Sequence, residues 1–392
     1  MNAMDHVRAL VERVGPRGSA TAEEREAAFY AHQVLTDLGL RPELQTFQSA
    51  RSAWLPAALF WSFMLASGFI FLGGGQLRAI VALILASIGL VSVLLELTFR
   101  SNLLRFMLPK AEGQNVAAQI EAESDAREHV VLAAHIDSHR TPLVFSSPTW
   151  VRWFERLVPI GMAFAVVLIA IFVVGIVVPM QLLHALALVP MIVALGMLIL
   201  MLQADFTAYA TGANDNASGV GVVLHLAEQL AVNPLSHTHV WIVLTGCEEV
   251  GCYGADHFIR KQKHDLGNAA WITVDTVGSH CGSPVFLSQE TFLSKARSDR
   301  RLLQMMREIS QQHPDWGAHE IRMKGAYTDS AIAAKHKLRV LTLESHQPSG
   351  GLSHWHRSTD NIQNVSAECL QNTESLLSEL LRRIDDDASS HN

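Results

Sequence analysis

Four blocks of this chain, residues 54–74, 79–97, 157–178 and 183–202, are apolar and nearly free of charge. Each is about 20 residues long, enough to cross a bilayer as a helix. A core helix of a soluble protein is usually shorter and keeps a polar face. The blocks come in pairs, closed by Gly73-Gly74-Gly75-Gln76 and by Pro179-Met180-Gln181, so each pair returns the chain to the side it left. On that side the flanks carry Arg41, Arg51, Arg100, Arg105, Lys110, Arg152 and Arg156, whereas the opposite turns hold only Arg78. This bias predicts an integral membrane protein with four transmembrane helices, the lipid bilayer as a partner and the polar bulk in the cytoplasm. Transport or intramembrane proteolysis would need ionisable groups inside the spans, and these blocks have almost none, so they read as anchors.

The remaining composition narrows the function classes. With 37 acidic against 30 basic residues, and no dense basic tract, nothing suggests a nucleic-acid partner. The cysteines, Cys247, Cys252, Cys281 and Cys369, are scattered without a Cys-x-x-Cys pair, which fits a reducing compartment and offers no disulfide framework. The N-terminus is amphipathic and charged, without the pattern of a signal peptide.

Outside the apolar blocks the chain alternates strands and helices. Thr21-Ala22-Glu23-Glu24 has the form of a capping box and predicts a helix to about residue 38, followed by a strand over 41–48. Strands are expected over 114–120, 129–134, 239–245, 271–274 and 338–343, and helices over 217–230, 253–262 and 365–384. The pattern predicts an α/β fold, a three-layer sandwich with a mostly parallel central sheet. The division expected is catalytic domain over 1–51, 99–153 and 205–385, membrane hairpins over 52–98 and 154–204, and a disordered tail over 386–392.

Five short segments carry chemistry: His135-Ile136-Asp137, Asn214-Asp215-Asn216-Ala217-Ser218-Gly219, Glu248-Glu249, Asp275-Thr276 and His356-Arg357-Ser358-Thr359-Asp360. Each puts a His or carboxylate after an apolar run or at a helix mouth, positions where ligands converge at the edge of an α/β sheet. Alone, His135 is a strand-end histidine, but Asp137 faces the same way and could accept its imidazole proton, as the carboxylate behind a metal-bound histidine does. Asp215 could equally be a helix N-cap. The glycine-rich run 212–221 lacks the Gly-Lys-Ser/Thr ending of a phosphate loop. Glu248 and Glu249, paired at the end of an apolar strand, are costly unless something positive compensates them. Their side chains diverge, so one can ligate a metal while the other acts as general base on a bound water. Among His346, His354 and His356, the last is favoured because Asp360, four residues on, repeats the His-to-carboxylate pairing.

Taken in order, these segments resemble the co-catalytic di-zinc exopeptidase family that includes bacterial leucyl aminopeptidases and glutamate carboxypeptidase. The resemblance covers residues 21–384 apart from the two hairpins, and is closest over 212–219. It implies a zinc exopeptidase-like fold and two zinc ions, with cobalt or manganese able to use similar ligands. Residue by residue, it implies His135, Asp215 and Asp275 around one zinc, with Asp215 bridging to a second completed by Glu249 and His356. Glu248 would be the base and Asp137 would orient His135. Two departures bear on substrate fit: Thr328-Asp329-Ser330 stands where the family often has Ser-Asp-His, and Cys247, read as a small buried residue, precedes the Glu pair. Glutaminyl cyclases share the fold with one zinc, and the full ligand set argues against that activity and against the family's metal-free relatives.

The expected function is therefore a membrane-anchored zinc metallopeptidase, an aminopeptidase releasing N-terminal residues of a peptide substrate. A metal-bridging hydroxide would attack as Glu248 takes its proton. Tyr327 is the candidate stabiliser of the oxyanion. The rivals are an amidase of N-acylated or lipidated amino acids and a non-catalytic membrane scaffold.

Overall fold

The computed structural model describes the chain except residues 101, 103, 179, 180, 292, 391 and 392. Its described strands are β1 (Glu43–Ala50), β2 (Lys110–Ile120), β3 (Glu128–His135), β4 (Thr238–Thr245), β5 (Ala270–Val274), β6 (Ser283–Thr291), β7 (Lys295–Arg297), β8 (His319–Lys324) and β9 (Arg339–His346). Its helices are α1 (Ala3–Ala9), α2 (Ala22–Asp37), α3 (Leu55–Leu72), α4 (Gln76–Leu97), α5 (Pro148–Val177), α6 (Gln181–Asp205), α7 (Gly219–Val232), α8 (Tyr253–Lys261), α9 (Lys263–Leu266), α10 (Arg300–Gln312), α11 (Asp329–Lys335) and α12 (Ala367–Ser390). They form two compact units, one of Met1–Arg51, Lys110–His139 and Tyr209–Asn392, the other of Ser52–Pro109 and Arg140–Ala208.

The first unit is built on one sheet in the order β1-β2-β4-β3-β5-β9-β6-β7, with β8 beside β6. The centre, β4-β3-β5-β9, is parallel. Its strands are apolar on both faces because helices cover both. Val130, Leu132 and Ala134 of β3 join one core with Leu35 of α2, Val223 of α7 and Leu377 of α12. On the other face, Phe258 of α8 meets the rings of Trp241 and Trp271. This is the expected three-layer sandwich, but antiparallel pairs enter at the margins, β1 with β2, β2 with β4, and β6 with β9 and β7, while β8 runs parallel to β6. All the parallel central strands end on the same edge, which is where His135, the Glu248-Glu249 turn and Asp275 emerge.

Some expectations shift. Thr21 caps α2 through Glu24 N at 3.3 Å, but the Glu24 carboxylate does not close a capping box. It accepts from Ala20 N at 2.9 Å and reaches Cys247 N at 2.7 Å. The acidic end of the chain continues α12 through Ser390, where a disordered tail was expected from 386. The buried Asp385 carboxylate accepts from Ser236 N, His237 N and Thr238 Oγ1 at 2.7–2.9 Å and anchors this last stretch. Residues 391 and 392 of that tail lie outside the described residues. Segments 283–291 and 300–324 form β6, α10 and β8, which the sequence reading left unassigned.

The second unit holds α3, α4, α5 and α6, all long and apolar enough to cross a membrane. Small residues let these helices approach closely. Gly68 lies against Met191, Gly89 against Phe63, Gly161 against Trp61 and Gly175 against Phe71. Ile84, Val91, Val166, Val173, Ile192 and Ile199 face outward and exposed, an apolar surface suited to lipid. Gly74 and Gly75 turn between α3 and α4 with φ of 73° and 88°, which favours glycine. In the second turn, Pro179 and Met180 lie outside the described residues. The helical unit takes in residues 99–109 and 140–153, which the sequence division gave to the catalytic domain. Arg105 and Asn102 both bond Glu96 of α4, and Thr141 N donates to Ala208 O at 2.9 Å.

Candidate metal centre

The loop ahead of α7 is set by its own side chains. Gly212 has a φ of 58°, and a Cβ there would lie 2.5 Å from Asp215 O and 2.6 Å from Ser138 Cβ. Asn216 Oδ1 accepts from Gly219 N and Thr276 N, both at 3.0 Å, and its Nδ2 donates to Val274 O at 2.9 Å. Asn214 Oδ1 accepts from Gly278 N at 2.7 Å, and Ser218 Oγ accepts from Val277 N at 2.9 Å. The loop is thus stitched to the chain leaving β5, and Asp215 is carried beside Asp275. Asp215 is not a helix N-cap: α7 begins at Gly219, and the Asp215 side chain turns to two histidines.

His135 Nε2, at the end of β3, lies 3.2 Å from Asp215 Oδ1 and 3.4 Å from Asp275 Oδ1. His356 Nε2 lies 3.3 Å from Asp215 Oδ2 and 3.3 Å from Glu249 Oε2. The two oxygens of Asp215 therefore face different histidines, one per triad. Five of the sequence-selected residues, His135, Asp215, Asp275, Glu249 and His356, converge on one buried point. His354 does not join them; its Nδ1 pairs with Thr359 Oγ1 at 2.8 Å. His346 pairs with Glu344 at 2.8 Å.

Asp137 is fully buried and does more than face His135. His135 Nδ1 is 3.1 Å from the Asp137 carbonyl and 3.4 Å from its Oδ1. The same carboxylate accepts from Ser19 Oγ at 2.6 Å, Glu248 N at 3.1 Å and Glu249 N at 3.2 Å. It therefore ties the Glu pair to the His135 strand end. The Asp360 expectation is corrected: its carboxylate holds Asn214 N at 2.7 Å and Asp215 N at 3.1 Å. It fixes the backbone under the shared carboxylate and is not the partner that selected His356. Glu248 belongs to neither triad; it lies with Cys252 and Asp329 in a separate buried group. Tyr327 is half-buried in the turn before α11. Cys247 is buried, as expected of a small residue just after the end of β4.

The electrostatics fit a cation. Burial would raise Asp215, yet the hydrogen bonds from His135 and His356 hold it well below the usual carboxylate range. Burial opposes charge on His356, but Glu249 and Asp215 lift it to about 9. Burial and the nearby Asp215 push Glu249 up to about 7. Glu249 Oε1 is buried with no hydrogen-bond partner among the described residues. Nitrogen and carboxylate donors in two groups joined by one aspartate match the ligand preference of zinc.

Sequence reasoning missed several contributors. Arg17 is fully buried and donates to Ile136 O, Thr211 O and Gly212 O at 2.6–2.7 Å. His139 lies with Glu249 and His356 in a group that could hold a metal ion. Only the spacing of His139, two residues past Asp137, could have drawn attention to it.

The chain is similar to known proteins in sequence and in fold. Residues 196–381, just under half of the chain, match the model of Peptidase family M28. A probable zinc metalloprotease of Leptosphaeria maculans is 37% identical over 79 residues, which is 20% of this chain. That match spans only 18% of the relative's length. Among solved structures, a zinc aminopeptidase from Bacillus subtilis aligns with a TM-score of 0.58 at 14% identity, covering 98% of this chain and 94% of that one. A glutaminyl cyclase from Porphyromonas gingivalis gives 0.58 at 16%, covering 98% and 97%. A leucine aminopeptidase precursor from Bacteroides thetaiotaomicron gives 0.54 at 15%, covering 97% and 96%. At these identities the structures speak to the fold, which is zinc exopeptidase-like. The resemblance seen in the five segments is borne out by the family match over residues 196–381.

Proposed function

From a Peptidase family M28 segment set in a zinc exopeptidase-like fold, we propose that this chain is a membrane-anchored di-zinc exopeptidase, an aminopeptidase acting on peptides. The observation that carries the reading is the shared carboxylate, Asp215, with Oδ1 toward His135 and Oδ2 toward His356. His135, Asp215 and Asp275 would hold one zinc, and Asp215, Glu249 and His356 the other. Bound zinc would supply Lewis acidity toward a carbonyl and a water of lowered pKa.

The chain's own groups do the rest. Glu249 is engaged with His356, which leaves the neighbouring Glu248 carboxylate as the proton carrier, taking a proton at Oε and returning it to the leaving amine. Asp137 orients both, through His135 and through the Glu248 and Glu249 amides. Tyr327 is assigned as a donor to the developing oxyanion. The four apolar helices would anchor the enzyme in the bilayer with its catalytic unit in the cytoplasm, as the flanking arginines direct.

The test is hydrolysis of an aminoacyl-amide panel by the full-length protein, with and without a chelator. N-acylated amino acids and N-terminal glutaminyl peptides run beside it. Chelator-sensitive release from free N-termini is expected, with Glu248→Gln reducing turnover by about 10²–10⁴-fold while keeping its metal. Preference for acylated amino acids would favour an amidase. Cyclisation of the glutaminyl peptides would favour the chemistry of the cyclase neighbours, and metal-free, inactive protein a scaffold.

A further inference from the structure

One histidine at the centre has no role in that reading. His139 is buried, and its ring lies 3.6 Å from that of His356, centroid to centroid, with only 12° between the planes. Trp355 lies against the same imidazole at 4.1 Å and 31°. His356 itself sits at a φ of 54°, a backbone region that a residue with a side chain enters at a cost. A ligand on such a backbone keeps its Nε2 in place only where the surrounding structure constrains the ring.

The platform that supplies it is rigid. Ser138 N donates to Arg17 O at 3.0 Å, Ser138 Oγ donates to Ala210 O at 2.9 Å, and His139 O accepts from Ala210 N at 2.8 Å. The main chain under His139 is therefore pinned from both sides.

A ligand role for His139 is the obvious rival, since its ring nitrogen lies within 4.8 Å of the Glu249 and His356 ligand atoms. Ring geometry decides against it. The nitrogen lone pair of an imidazole lies in the ring plane, so an ion held by one of two nearly parallel, face-to-face rings is out of the plane of the other.

We propose that His139 is a positioning residue for the second metal position: its ring face, with Trp355, fixes the His356 imidazole so that Nε2 stays on Asp215 and Glu249. This rests on the dinuclear reading above.

The test is zinc titration of the full-length protein in detergent, starting from chelated protein, with cobalt spectra as a second readout. His139→Phe keeps a flat ring without nitrogen; His139→Leu keeps bulk without a flat face. The native chain should bind two zincs. His139→Leu should weaken one of them by about 10–100-fold, the range for losing a residue that orients a ligand, and leave the other unchanged. His139→Phe should restore that affinity to within a few-fold and keep the native cobalt spectrum. Two native-like zincs in the Leu variant would overturn the positioning role. A Phe variant as weak as the Leu variant would overturn it in favour of ligation. A native chain that binds fewer than two zincs would overturn the dinuclear reading itself, and His139 with it.

Discussion

Replacing Arg17 by Met removes a buried cation beside the acidic cluster. The guanidinium is fully buried and donates to three carbonyls at 2.7 Å or less, Ile136 O, Thr211 O and Gly212 O. Burial lowers its pKa to about 10, while Asp360 and Asp137 act to raise it, so it stays charged at neutral pH. Hydrogen bonds to a charged group contribute about 1.5–3 kcal/mol each, so three would sum to roughly 5–9 kcal/mol if nothing relaxed. The native guanidinium already bears a desolvation cost, and Met packs well, so the expected net loss is about 3–5 kcal/mol. For a unit of this size that corresponds to a fall in Tm of roughly 6–20 °C. The assay is loss of near-UV circular dichroism with temperature in detergent, run with zinc content on the same samples. Arg17→Lys should be intermediate, because an ammonium cannot present the planar fork that meets three carbonyls. A Met variant melting within about 2 °C of the native chain would refute the reasoning.

Asp215→Ala should remove both metals, whereas His135→Ala and His356→Ala should each weaken one; equal loss of one metal in all three would point to a mononuclear site. Asp385→Ala strips three acceptor contacts from the chain entering β4 and should destabilise the folded state by about 1.5–3 kcal/mol, read from denaturant midpoints. A reporter fused after Asn392 should behave as cytoplasmic and one placed near Gly74 as external, and the reverse pattern would overturn the orientation read from the arginine flanks.

What was legible in the chain is what local physics writes there. The apolar runs of β3, β4 and β5 announce strands buried on both faces, and a histidine or acid after such a run has few uses. The loop letters Asn214, Asn216 and Ser218 are legible for a related reason: each side chain completes hydrogen bonds that only that residue type supplies at that spot. Contacts across long sequence separations were not legible. Glu24 looks like a local capping residue, yet its carboxylate reaches Cys247, 223 positions away. Arg17 looks like a surface charge, since arginine is rarely buried without partners, and its partners are backbone carbonyls that no side-chain pattern reveals. Asp360 misled because the spacing of four to His356 suggested a pair, while the fold hands its carboxylate to the amides of Asn214 and Asp215. The acidic tail misled in the same way: three consecutive aspartates read as disorder until Asp385 finds the amides ahead of β4.

The interrupted order of the chain has a simple structural reason. Ala50 and Lys110 are register partners at the ends of β1 and β2, so the first helical insertion leaves and re-enters where a tight hairpin loop would otherwise close. At the second interruption His139 O accepts from Ala210 N at 2.8 Å, so again the departing and returning strands of chain are joined before the insertion begins. Closing a loop costs free energy only slowly with its length, about 0.6 kcal/mol for each doubling, once its ends are held together. Both insertions can therefore add the helical unit while β1 stays paired with β2 and His135 stays beside Asp215. The second interruption falls directly after His139, the residue stacked on His356, and the bond to Ala210 is what keeps that ring in place despite the 69 residues of helical unit that follow. The same short contact thus closes the insertion and holds the main chain under the ring stacked on His356, which ties tolerance of the helical insertion to the order of the candidate site.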